Sequence, residues 1–219
     1  MKYKAIIFDM DGTIINSENL WEQADKEMLL TKGNVTESEC QTVLPQIKGL
    51  SLHASCTFVA MKYNTKESVQ ELMKFKEEFA FKNFEKFTTF IDGFKTFHNT
   101  ITNLGIKTAI ATNATIHTLD KTKKYLPLEQ YFNKQIYSYE HAHKKPKPEP
   151  DVFLYAADQI NIDPSLCIVI EDSATGIAAA KAAGMYCIGI NTGHDRSQLS
   201  QADLIIEQYE DINLDLILA

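Results

Sequence analysis

The chain has 219 residues, 44% hydrophobic and 23% charged, a globular composition with length enough for one large domain or two smaller ones. Its formal net charge of -7 provides no basic surface for a polyanion, so extended binding to nucleic acid or to an anionic membrane is disfavoured. No run approaches the roughly 18 uninterrupted apolar residues of a spanning helix, and the stretch from Ala5 to Phe8 is too short for a signal-peptide core.

Ala5 to Phe8 is nevertheless apolar throughout and ends in Asp9-Met10-Asp11-Gly12-Thr13, which predicts a buried strand delivering polar residues at its C-terminal end. From about Ser17 to Phe87 the rhythm changes to charged amphipathic stretches without a strand. Helices are expected over Glu18 to Leu30, Glu37 to Leu44, His53 to Met61 and Lys66 to Phe87, with breaks at Gly33, Pro45 and Gly49. Phe75, Phe79, Phe81, Phe84, Phe87 and Phe90 alternate with Lys and Glu, a pattern of a helix packing its apolar stripe into a core. Strand-length runs then return at Thr108 to Thr112, Ile136 to Tyr139, Leu166 to Ile170, Tyr186 to Ile190 and Leu204 to Ile206. Between them lie helical patterns such as Val152 to Ile160 and the alanine-rich Gly176 to Ala183, closed by Gly184.

Alternating strands and helices imply an α/β fold, a Rossmann-like parallel sheet with helices on both faces, interrupted by an inserted helical cap. The expected division is a core of residues 1–16 and 88–219 and a cap of residues 17–87. Links near Ile14 to Ser17 and Phe87 to Gly93 are expected to act as hinges. Cys40, Cys56, Cys167 and Cys187 lack CxxC or metal spacing and predict reduced thiols, which suits a reducing cytoplasm.

Polar groups stand at the ends of four predicted strands or just past them: Asp9 with Asp11 after the first, Thr112 with Asn113 ending the second, Lys147 following the third, and Glu171 with Asp172 ending the fourth. Ligands bind at that edge of an open parallel sheet. Any one of these residues could merely cap a turn, but together they suit phosphate-ester chemistry. Asp9 can supply a carboxylate nucleophile for an aspartyl-phosphate. Magnesium on Asp9 and Asp172 would offset repulsion between carboxylate and phosphate. Lys147 would neutralise the transferring group, with the Thr112 hydroxyl, Asn113 and backbone amides on its oxygens. Asp11 could protonate the leaving oxygen and then deprotonate the attacking water. Lys144 and Lys145 crowd the same loop; Lys145, also followed by proline, is the alternative to Lys147. His141 and His143 have no third ligand in register and read as loop polar residues.

These residues resemble the haloacid dehalogenase-like superfamily, in the branch with a helical cap after the first motif that contains β-phosphoglucomutases and sugar-phosphate phosphatases. The resemblance covers essentially the whole chain. It rests on Asp9-Met-Asp-Gly-Thr13, Thr112-Asn113, Lys147-Pro-Glu-Pro-Asp-Val-Phe153 and Glu171-Asp-Ser-Ala-Thr-Gly176. It implies Asp9 as nucleophile, Asp11 as general acid/base that also binds magnesium through its carbonyl, and Asp172 as metal ligand. Glu171 would act through water or through other ligands.

The resemblance also bears on the reaction. Asp11 favours an oxygen ester over a carbon–halogen or phosphonate bond. Lys48-Gly-Leu-Ser51 resembles the cap loop of β-phosphoglucomutases, but Leu52 stands where those enzymes carry a phosphate-clamping arginine, and Trp21 where they carry a histidine. A phosphatase is therefore favoured, acting on a small phosphorylated metabolite such as a sugar or polyol phosphate. A phosphosugar mutase and a non-catalytic metal-binding relative are the alternatives. Glu18 and Lys48 are candidate cap-side contacts, and a monomer is the default expectation.

Overall fold

The structure, a computed structural model, describes residues 2–47, 50–193 and 195–218 and, apart from Glu18 and Glu85, their side chains. The first strand, β1 (Ala5–Phe8), leads through a turn to the two-residue β2 (Ile15–Asn16). Four helices follow: α1 (Glu18–Thr31), α2 (Glu37–Ile47), α3 (Leu52–Tyr63) and α4 (Val69–Phe87). The chain returns through β3 (Thr89–Phe90) to α5 (Phe94–Asn103), β4 (Lys107–Thr112), α6 (Ile116–Tyr125), α7 (Leu128–Phe132) and β5 (Ile136–Ser138). It closes with α8 (Asp151–Gln159), β6 (Cys167–Glu171), α9 (Ala174–Ala182), β7 (Tyr186–Ile190), β8 (Leu204–Ile206) and α10 (Asp215–Leu218). Two compact units result, one running up to Asn16 and again from Thr89 onward, the other spanning Ser17–Thr88.

In the first unit six strands form one sheet in the order β5-β4-β1-β6-β7-β8, with every neighbouring pair parallel. β1 is central and buried on both faces, which is why its sequence is a continuous apolar run. Alternation sends Ile6 and Phe8 into one core layer with Ile110, Ile170, Phe94, Phe132 and Tyr209. Ala5 and Ile7 point into the other, where small residues of the strands, Ala109 and Ala111, meet Ala156 and Ala157 of α8 and Ala179 and Ala180 of α9. Large side chains fill one face, and small ones let helices sit close on the other. β2 and β3 pair antiparallel as a separate ribbon, two strands too short to stand out in the sequence.

The regular elements among the described residues of the second unit are all helices. Met28, Leu29, Val43, Cys56, Val59 and Leu72 form its core. Lys76 of α4 lies buried, 2.5 Å from Asp25 of α1 and 2.8 Å from Ser55 Oγ of α3, tying three helices together. A capping box fixes the start of α4: Glu71 N–H donates to Ser68 Oγ at 3.3 Å and Ser68 N–H to Glu71 Oε2 at 2.8 Å. That box moves the start from the expected Lys66 to Val69.

One expected break is absent. α2 continues through Pro45 to Ile47. Proline removes one amide donor and crowds the preceding turn, but only two helical residues follow it, and buried Val43 and Ile47 anchor that turn in the core. Among the described residues no helix is long and apolar enough to cross a membrane, and all four cysteines are free and buried.

Candidate active site

The register of the sheet brings the sequence candidates to one edge. Phe8 pairs with Ile110 and with Ile170, so Asp9 leaves β1 level with the ends of β4 and β6. Asp9 N–H still bonds the Ile170 carbonyl at 3.0 Å, holding the buried carboxylate at that edge.

Lys147 reaches it from the segment after β5. Its Nζ lies 2.5 Å from Asp9 Oδ1 and 2.7 Å from Glu171 Oε1, and it stands over the Phe153 ring at 4.6 Å. Phe153, the last residue of the Lys-Pro-x-Pro-Asp-x-Phe frame, is thus part of the lysine's seat. Lys145 is elsewhere, paired with Asp151 at 3.2 Å and largely exposed. Asn113 turns its amide to the Lys147 backbone, accepting Lys147 N–H at 2.8 Å. Its side chain therefore couples the β4 loop to the lysine rather than standing free for phosphate.

Glu171 is enclosed. Its Oε1 receives Lys147, and its Oε2 receives both the amide and the hydroxyl of Ser173 at 2.9 Å. A Cβ on Gly176 would lie 1.7 Å from that carboxylate, so glycine is needed where α9 passes it. Ser173 also caps α9, accepting Gly176 N–H at 3.0 Å, which starts that helix at Ala174 instead of the expected Gly176. Gly184 closes it at φ +72, with Met185 N–H bonding Ala180 O and Gly184 N–H bonding Lys181 O, a Schellman motif.

Thr112 is buried, and its Oγ1 accepts Ala114 N–H at 3.0 Å, leaving the hydroxyl proton to donate. Two residues without a role in the sequence reading hold that loop. Ser138 Oγ donates to Ala114 O at 2.5 Å, and Glu140 Oε2 accepts Ile116 N–H at 2.6 Å. Neither belongs to a motif, and only the β4–β5 pairing brings them near.

Asp11 is half-buried in the turn after β1. Gly12 beside it has φ +80, and a Cβ there would lie 2.0 Å from Asp172 Oδ2. Thr13 Oγ1 donates to Asp172 Oδ1 at 3.4 Å. The Lys48 side chain and the Glu18 side chain lie outside the described atoms, so the two cap candidates have no placement.

Asp9, Glu171 and Asp172 offer carboxylate oxygens within 4.8 Å of one another. Among the described residues Lys147 is paired with two of them, Asp9 and Glu171, which leaves a local surplus of negative charge. Burial pushes the Asp9 acid up to about 7, with Lys147 opposing and Glu171 and Asp11 adding to the rise. Burial, Glu171 and Asp9 push Asp172 well above the usual carboxylate range. Burial alone would lower Lys147, but the Asp9 and Glu171 charges overcome it and raise the lysine. Hard oxygen donors, crowded and short of positive charge, suit a magnesium-sized divalent cation.

The sequence pattern of the haloacid dehalogenase-like hydrolases matches residues 6–190. The chain belongs to that family. Validoxylamine A 7'-phosphate phosphatase of Streptomyces hygroscopicus subsp. limoneus is 25% identical over 211 residues, 96% of either chain. Hexitol phosphatase B of Escherichia coli (strain K12) is 29% identical over 192 residues, 84% of this chain and 82% of its own. Among solved structures, the HAD hydrolase of family IA, variant 3, from Entamoeba histolytica HM-1:IMSS superposes with a TM-score of 0.85 at 24% identity, over 98% of this chain and 97% of that one. That last likeness concerns the fold. As in other hydrolases on open parallel sheets, the polar cluster sits past the carboxyl ends of the strands.

Proposed function

We propose that the protein is a magnesium-dependent phosphatase that hydrolyses a small phosphate monoester, a sugar or polyol phosphate, through an aspartyl-phosphate on Asp9. The observation that carries this reading is the buried Asp9 carboxylate bonded to Lys147 within reach of Glu171 and Asp172. The phosphatase names of relatives spanning most of the chain support the ester class.

In the first step an oxygen of Asp9 attacks phosphorus, the phosphorus–oxygen bond to the alcohol breaks, and Asp11 gives its proton to the departing alkoxide. In the second, Asp11 takes a proton from water, the water oxygen attacks phosphorus, and the bond to Asp9 breaks. Thr112 and the amides of its loop hold the phosphoryl oxygens, while Lys147 balances their charge. Asp9, Asp172 and the Asp11 carbonyl would hold magnesium, with Glu171 acting through Lys147 or a bridging water; when bound, the ion offsets charge on the phosphoryl group. Residues 17–87 are the cap in this reading, with Glu18 and Lys48 its candidate contacts to the alcohol. Free, buried cysteines suit a reducing cytoplasm.

Leu52 supports hydrolysis over transfer to a second sugar hydroxyl. It packs against the core of the helical unit, and Ser51 before it is bound as the cap of α3, accepting Ala54 N–H at 3.1 Å. Orthophosphate release from a panel of sugar and polyol phosphates, with and without magnesium, tests the proposal. Magnesium-dependent release is expected; conversion of β-glucose 1-phosphate to the 6-phosphate faster than release would replace it with a mutase.

A further inference from the structure

The turn that carries Asp11 is tethered from two strands that supply none of the assigned site residues. Within the turn, Ile14 and Ile15 N–H groups bond the Met10 carbonyl at 2.9 and 3.0 Å, and Gly12 N–H bonds Ile15 O at 2.8 Å. The Gly12 and Thr13 carbonyls are bonded from outside the turn. Thr192, two residues past β7, donates its hydroxyl to Gly12 O at 2.6 Å. Tyr209, three residues past β8, donates its hydroxyl to Thr13 O at 2.9 Å. The Tyr209 ring is fully buried, with its centroid 5.3 Å from Phe97 and 5.9 Å from Phe94. Its position is therefore fixed by packing, and burial beside Asp9 and Asp172 keeps the hydroxyl a donor.

Gly12, at φ +80, is the least restrained residue type in the turn. Gly12 N–H is held by Ile15 O, but nothing in the chemistry of glycine fixes the peptide that follows it; the two hydroxyls hold the Gly12 and Thr13 carbonyls. We propose that Thr192 and Tyr209 are positioning residues that clamp the Gly12 and Thr13 carbonyls and so hold Asp11 where it exchanges protons with the leaving alcohol and with water. The inference rests on the reading of Asp11 as acid/base. It assigns to β7 and β8 a task that no motif of the first turn reveals. A misplacement of about 1 Å in such a group costs on the order of 100-fold in rate.

The test uses leaving-group dependence, since p-nitrophenolate departs without an acid and a sugar alkoxide does not. Thr192→Val, Thr192→Ser and Tyr209→Phe are compared with the unaltered protein for kcat/KM on glucose 6-phosphate and on p-nitrophenyl phosphate, with magnesium present. Loss on the sugar ester should exceed loss on the aryl ester by roughly 10-fold in Thr192→Val and Tyr209→Phe, as expected for impaired acid catalysis. Thr192→Ser, which keeps the donor, should restore the ratio. Equal losses on both esters, a serine variant as poor as valine, or no loss at all would overturn the clamp. Asp11→Ala separates the two ideas. If it shows the leaving-group effect while Thr192→Val and Tyr209→Phe do not, only the clamp fails. If Asp11→Ala retains full activity on both esters, or the unaltered protein hydrolyses neither, the acid/base reading fails and the clamp with it.

Discussion

Gly12 and Asp172 contend for the same space: a Cβ on residue 12 would stand 2.0 Å from Asp172 Oδ2. The first turn and the end of β6 therefore meet through a missing side chain, and this close approach sets Asp172 beside Asp9. Gly12→Ala adds the strain of a left-handed φ, about 1 kcal/mol, and pushes Asp172 away. Magnesium-supported turnover should fall by 10-fold to 100-fold, the range for disturbed metal surroundings. A magnesium titration of phosphate release in the variant checks this, and an unchanged half-saturating concentration with full turnover would contradict it.

The two lysines of one loop should behave oppositely. Lys147→Ala leaves Asp9 and Glu171 buried without their cation, which costs about 3–5 kcal/mol of stability and removes the charge facing the phosphoryl group. Lys145→Ala breaks only a pair between an exposed lysine and the half-buried Asp151, worth about 1 kcal/mol, and should leave kcat unchanged. Denaturant melts and steady-state rates on the two variants distinguish them directly.

His98 should impose a pH dependence on folding. It lies buried among Phe8, Phe94, Tyr131 and Phe132, its Nε2 3.1 Å from Thr108 Oγ1 and its Nδ1 without a partner among the described residues. Burial lowers its pKa from 6.5 to about 4. The folded state then binds fewer protons than the unfolded one, so the stabilisation is full above pH 6.5 and is lost as pH falls towards 4. The loss is at most about 3 kcal/mol at 1.36 kcal/mol per unit. Asp9, raised to about 7, runs the other way, so the comparison is between the unaltered protein and His98→Phe. Urea unfolding at pH 7.5 and pH 5 should show a smaller drop in the variant.

Pro45→Ala should stabilise the helical unit. The substitution returns an amide donor to the last turn of α2 and relieves ring crowding, effects worth up to about 3 kcal/mol in a helix interior. A rise in thermal midpoint is expected, and a fall would show that the proline ring contributes packing.

Much of the core was legible because its physics is local. β1 reads directly from four apolar residues ending in Asp9, since a central parallel strand has no polar face. Asp9, Glu171 and Asp172 stand at or just past strand ends and Lys147 in the Lys-Pro-x-Pro-Asp-x-Phe frame beyond β5, features that local sequence displays; the distances place Lys147 on Asp9 and Lys145 on Asp151. Pro45 misled because propensity scores a residue, whereas Val43 and Ile47 hold the turn through tertiary contacts. Ser138, Glu140, Thr192 and Tyr209 were invisible. Each acts on a backbone atom brought near by strand order, a relation that leaves no spacing in the sequence. Asn113 was read as a phosphate contact because it stands beside Thr112, yet its amide bonds the Lys147 backbone from 34 positions away.

The covalent role of Asp9 is tested most directly by trapping. Asp11→Ala protein mixed with magnesium and p-nitrophenyl phosphate, whose leaving group needs no acid while the water of the second step still lacks its base, should after acid quench and digestion yield the Asp9 peptide carrying one phosphoryl group, and Asp9→Asn protein should yield none and release no phosphate. An Asp9 peptide of unaltered mass, together with steady phosphate release by Asp9→Asn, would contradict the mechanism.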